Sequence, residues 1–139
     1  MNRPSKFGFC IIQLVLFAFL CAGCGSKSSV ARVRGKVLLD EKPLATGSVV
    51  TLPSAGRGAK GIIHHGEFEL GTFGEKDGAL IGMHKVAIIA SEPSQGTGPE
   101  AAAGKLLVPE RYTNPETSGL SIEVKPGEVN TPTLKVTSP

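Results

Sequence analysis

A chain of 139 residues carrying a formal charge of +3 is long enough for one domain with a real core and too short for two. Its 15 basic residues against 12 acidic ones give no basic face for nucleic acid. With no Trp and one Tyr, it has little from which to build a stacking platform for sugars or single-stranded nucleic acid.

Arg3 and Lys6 precede a largely apolar run over residues 7–20, which fits the positive and hydrophobic regions of a secretory signal and is too short to span a bilayer. Leu20-Cys21-Ala22-Gly23-Cys24 ends that run, and Ala22 and Gly23 before Cys24 resemble the bacterial lipobox. The resemblance implies cleavage between Gly23 and Cys24 and lipidation of the Cys24 sulfur, with Cys21 standing where the box more often has an aliphatic residue. Residues 1–23 are then a signal peptide with a helical apolar core, 24–31 a small polar tether, and 32–139 the folded domain. Fully extended, the segment 25–30 reaches roughly 20 Å at about 3.3 Å per residue, so the domain is expected close to the membrane. Cys10 and Cys21 leave with the signal, which removes any disulfide from the expected fold. Arg3 and Lys6 leave too, and the remaining chain is close to neutral.

From Val33 the pattern alternates: Val33, Gly35, Val37 and Leu39 share one face, Arg32, Arg34 and Lys36 the other, as in a half-buried strand with a solvated charged side. Asp40-Glu41-Lys42-Pro43 is a turn, and residues 48–52 form a second strand stopped by Pro53. Gly56-Arg57-Gly58-Ala59-Lys60-Gly61 lacks the spacing of a phosphate loop and has no hydroxyl after its lysine, so a hairpin loop accounts for it. Residues 62–64 and 67–70 pair across His65-Gly66, whose glycine supplies the positive φ of a tight turn. His64 and His65, as strand neighbours, point to opposite faces, and adding His84 gives no three-ligand set; no metal and no cofactor are expected.

Glu75-Lys76-Asp77-Gly78 is another turn, too poor in oxygen ligands for a calcium loop, and residues 82–91 are the most apolar run, expected as a central strand. The long crossover 92–118 divides into a mobile part, 92–104, and an ordered part, 108–118, pinned by Pro109, Tyr112 and Pro115. Within it Pro109, Arg111 and Tyr112 form a candidate binding loop, in which Tyr112 serves as an anchor, ring packed and hydroxyl bonded. Residues 120–125 and 134–137 are the last strands, and only 101–107 could hide a helical turn. About seven short strands with Gly/Pro turns specify an all-β antiparallel sandwich.

The order Arg34-Gly35-Lys36-Val37, Asp40-Glu41-Lys42-Pro43-Leu44, Gly47-Ser48-Val49, Gly66-Glu67-Phe68-Glu69-Leu70 and Val108-Pro109-Glu110-Arg111-Tyr112 resembles the carboxypeptidase regulatory-like, or transthyretin-like, β-sandwich domains of small bacterial lipoproteins. The resemblance covers residues 33–139 and implies that fold with an accessory, non-catalytic role. Glu41, where the family often has Gly, suggests a turn without positive φ there. The hydroxyisourate hydrolases of this fold end in a Tyr-Arg-Gly-Ser-type motif, whereas this chain ends Leu134-Lys135-Val136-Thr137-Ser138-Pro139. With no nucleophile elbow and no assembled carboxylate pair, no catalytic residue is assigned.

The expectation is an exported lipoprotein, held through Cys24 on the periplasmic side or the cell surface, whose sandwich binds an envelope protein or polysaccharide and no nucleic acid. A small hydrolase or metal site using His64, His65 or His84, and a passive surface spacer, are the alternatives.

Overall fold

The structure is a computed structural model that describes residues 29–93 and 104–139. The expected signal segment 1–23, the expected cleavage pair Gly23 and Cys24, and most of the stretch 92–104 expected to be mobile lie outside the described residues. Ten strands follow in order: β1 (Val30–Ala31), β2 (Arg34–Leu39), β3 (Lys42–Pro43), β4 (Thr46–Pro53), β5 (Lys60–His64), β6 (Glu67–Glu69), β7 (Ala79–Leu80), β8 (Gly82–Ile89), β9 (Leu120–Val124) and β10 (Thr133–Val136). β1, β3 and β7 are two-residue pieces. The other seven coincide with the seven strands expected from alternation.

Those seven form one continuous sheet in the order β10-β2-β6-β5-β4-β8-β9, with β3 as a short extra partner of β2. The sheet curls on itself, because inward residues from both ends meet in a single cluster: Val37, Val49, Ile63, Phe68, Val86, Ile88, Ile122, Val124, Leu134 and Val136. Burying one face of every strand in this way supplies the main stabilisation, at about 25 cal/mol per Å² of apolar surface. Most outward positions are polar, as the exposed Arg34 and Lys36 beside buried Gly35 and Val37 show, while Leu52, Ile62, Met83 and Ile89 are outward and apolar.

The sheet is antiparallel at every ladder but one. β10 runs parallel to β2, with Leu134 opposite Val37 and Val136 opposite Leu39. β9 and β10 sit at opposite edges of the path, so the chain between them must cross the open end of the curl and arrive beside β2 in the same direction. β8 lies inside the sheet, paired on both sides by β4 and β9, as expected of a central strand.

Three local expectations are corrected. Val30 and Ala31, assigned to the tether 24–31, pair with Leu80 and Ala79 of β7, and Ala31 is buried. Asp40 and Glu41 both have positive φ, 48° and 65°. The ladder pairs Leu39 with Lys42, a two-residue loop of which the right-handed twist of the strands demands a primed turn, whatever side chain occupies it. The helical turn falls at Glu110–Thr113, as 3-10 helix, where Pro109 (φ −53°) leads in and the Tyr112 amide donates to the Pro109 carbonyl at 3.0 Å.

At Gly35 the fold requires glycine: a Cβ there would stand 2.3 Å from the Phe68 ring and 2.8 Å from the Pro132 carbonyl oxygen.

Glu41 holds its left-handed conformation against a penalty of about 1–2 kcal/mol for an L side chain. Its ion pair with Lys135 (3.0 Å) is exposed on both sides and returns little. Glu41→Gly is expected to raise stability by roughly 0.5–1 kcal/mol, measured as an upward shift of the urea midpoint at unchanged m. A lower midpoint would refute the strain at this turn.

Candidate functional site

On the outer side of the curl, β2, β6 and β5 lie side by side with their polar residues facing solvent, and the register sets those residues in rows. Arg34 stands opposite Glu69 and Lys36 opposite Glu67; Glu67 in turn faces His64. A cationic row on β2, an anionic row on β6 and a third row of Lys60, Ile62 and His64 on β5 therefore run in parallel. The loop after β6, with Gly74, Glu75 and Lys76, and Thr131 from the opposite side wall this face into a groove of about 910 Å³.

The anionic row is shared between two cationic sources. Arg34 Nε approaches Glu69 Oε1 at 2.6 Å, Lys76 Nζ approaches Glu69 Oε2 at 3.6 Å, and Lys36 Nζ approaches Glu67 Oε1 at 3.8 Å. Lys60 has no acidic partner within salt-bridge distance among the described residues, so the β5 side of the groove is where positive charge stays available. Such solvent-exposed pairs add little stability and exchange readily with an incoming charged group.

Asp77 shapes the wall. Its carboxylate accepts hydrogen bonds from the amides of Thr72 (2.7 Å), Phe73 (3.1 Å) and Gly74 (3.0 Å). The Thr72 hydroxyl donates to the Gly78 carbonyl at 2.9 Å, which closes the loop into a compact unit. Desolvation is the largest single influence on this carboxyl and pushes it up, but the backbone hydrogen bonds together outweigh it and hold Asp77 below the ordinary aspartate value.

The three histidines are far apart in role. His64 lines the groove, His65 occupies the β5–β6 turn with φ 50°, and His84 is only 1% exposed on the inner face of β8. His84 is satisfied there: its Nε2 lies 2.7 Å from the Leu80 carbonyl, which fixes it as the donor, and Nδ1 lies 3.2 Å from the Thr51 hydroxyl. Among the described residues no three His, Cys, Asp or Glu side chains gather as a metal-binding group.

The candidate loop Pro109, Arg111 and Tyr112 is not part of the groove, because the crossover packs along β8 on the other side of the molecule. Leu107 and Ser91 make it fast there, with the Leu107 amide donating to the Ala90 carbonyl and Leu106 bridging Ser91. Tyr112 is 7% exposed, and Arg111 covers its ring at 4.7 Å from the centroid while donating to its hydroxyl at 3.0 Å. The Arg111 and Thr137 hydrogen bonds draw the phenol below the usual tyrosine range against the opposing pull of burial. Tyr112 is thus the anchor that the sequence suggested, leaving Arg111 as the exposed member of the trio.

Sequence reasoning recognised the charged face of β2 and read it as solvated; it could not see the groove. The rows exist because β2 pairs with β6 across a sequence separation of some 30 residues, and only the alternating charges of both strands hinted at it.

No family model matches this chain, and no curated protein matches it. Among solved structures, a 9R-lipoxygenase from Cyanothece PCC8801 is similar over 95% of this chain at 14% identity and a TM-score of 0.40. The chain spans 21% of that protein's length.

Because Asp77 has a depressed folded-state pKa, its contribution to the loop is present above the unfolded aspartate value and is lost as pH falls through the folded one. The amide resonances of Thr72, Phe73 and Gly74 are expected to titrate together, with a midpoint below the ordinary aspartate value. Asp77→Asn should abolish that common transition; three independent titrations would contradict the shared carboxylate.

Proposed function

We propose that the chain is a lipid-anchored lipoprotein of the cell envelope whose β-sandwich is a non-catalytic module that holds a protein partner in the charged groove. The observation that carries the reading is the position of Cys24: it closes an apolar run behind Ala22 and Gly23, and the first strand of the domain begins at Val30, six positions later. A cysteine so placed puts an acyl group directly before a folded domain. Two or more acyl chains on it give stable anchoring where one gives only marginal binding. The resemblance of residues 33–139 to transthyretin-like lipoprotein domains supports the accessory role.

A protein suits the groove better than a polysaccharide. Its rows of opposite sign ask for a partner with charges of both signs, and no exposed aromatic face on which sugars stack lines it: Phe68 lies beneath its floor at 3% exposure, Tyr112 is buried, and Phe73 stands outside the lining. Lys60 supplies the open cationic side, with His64 beside it as a polar contact, and the ion pairs of Glu67 and Glu69 can be exchanged for contacts with the partner at small cost.

The intact mass of the protein from native membranes is expected to equal the chain from Cys24 plus acyl groups, and Cys24→Ala should lose them. A mass without lipid would overturn the anchor. In the same membranes, a photo-crosslinker at Lys60 should capture an envelope protein, and Arg34→Glu with Lys36→Glu should reduce that capture by about tenfold or more. Undiminished capture would remove the groove as the contact.

A further inference from the structure

We propose that the end of the sandwich carrying β1 is a membrane-docking face, which seats its exposed apolar side chains among lipid headgroups. This rests on the lipid anchor proposed above and adds to it a fixed orientation of the domain.

Seven large hydrophobic side chains are exposed among the described residues, and they are unevenly placed. Five of them, Leu52, Phe73, Ile81, Met83 and Val129, belong to strand ends and loops at the end where the chain enters the sandwich. Three of these belong to segments held to β1 or to the residues on either side of it. The Ile81 amide donates to the Ser29 carbonyl at 3.1 Å. The loop carrying Phe73 is tied to Gly78, where a Cβ would stand 2.1 Å from the Ala31 carbonyl oxygen. Val129 precedes Asn130, whose amide donates to the Arg32 carbonyl at 2.9 Å. Met83 is exposed on β8 with Ile81 exposed just before that strand, and Leu52 is diagonal to Met83 through the pairing of Leu52 with Lys85.

The occupant of this face follows from the length of chain before it. Ser29 is five positions after Cys24, a span of at most about 17 Å. An acyl group on Cys24 therefore holds this end, and no other, within a few residues' reach of the bilayer surface, at a high effective concentration. Phe73 at 58% exposure and Val129 at 50% are residues whose side chains gain by leaving water at an interface. Arg32, Arg57, Lys60, Lys76 and Lys125 lie at the same end, but Glu75, Asp77, Glu123 and Glu128 nearly balance them, so apolar insertion and not net charge supplies the attraction.

The chain has no tryptophan, so one indole is an unambiguous reporter. Phe73→Trp and, at the opposite end, Lys42→Trp are each introduced into the full acylated chain and reconstituted in vesicles of phosphatidylcholine with brominated acyl chains. Both side chains replaced are exposed, so the fold tolerates the change. The indole at position 73 should be quenched at least about twofold relative to unbrominated vesicles, and that at position 42 should not. Adding Ile81→Ser and Met83→Ser to the Phe73→Trp chain should reduce the quenching. An acylated chain, verified by intact mass, with an unquenched indole at position 73 overturns the docking and leaves the anchor standing. Equal quenching at both positions also overturns it, since the domain then has no preferred face. A chain whose mass lacks acyl groups overturns the anchor, and the docking with it.

Discussion

Gly35 and Phe68 set the geometry on which the two-sided character of the sheet depends. The Phe68 ring, nearly fully buried, occupies the space where a side chain on β2 would stand, and the same missing side chain lets the Pro132 carbonyl come close enough to accept from the Lys36 amide at 2.9 Å. β2 can therefore take β6 on one side and β10 on the other. With a larger residue at position 35 the ring would be displaced and the carbonyl pushed away, a loss of packing of the kind that costs about 1–3 kcal/mol. Closure of the curl and delivery of the C-terminal strand thus share one small site.

The outer face inherits its chemistry from that arrangement. Once β6 is locked against β2, Glu67 and Glu69 must face Lys36 and Arg34, because cross-strand partners on one face of a sheet stand opposite each other. The result is a surface nearly neutral in sum and strongly patterned in detail. Its ion pairs, exposed to solvent, cost little to open, while the Asp77 carboxylate keeps the neighbouring wall in shape with three backbone hydrogen bonds.

Alternation made the seven main strands legible, since Val33, Ile122 and Leu134 are each buried between exposed polar neighbours. The features that escaped are those for which no local signal exists. The parallel pairing of β10 with β2 depends on where a curled sheet leaves its last strand. The positive φ of Glu41 is imposed by the two-residue register of β2 and β3, against the preference of the side chain. β1 and β7 are too short for a period to be counted, and the groove is a property of strand neighbours far apart in the chain. His84 shows the converse: its residue type attracted a functional reading, while its surroundings, Thr51 and the Leu80 carbonyl, make it a satisfied member of the interior.

The pairing of β1 with β7 also decides how the molecule carries mechanical load. This two-stranded ribbon is separate from the main sheet and holds only two residue pairs, Val30 with Leu80 and Ala31 with Ala79. A pull on the amino end reaches that ribbon first and then Arg32 and its bonds to Asn130, before any strain enters β2. The ribbon can give way and reform while the sandwich stays intact, so it acts as a mechanical fuse between whatever tugs on the chain and the domain behind it.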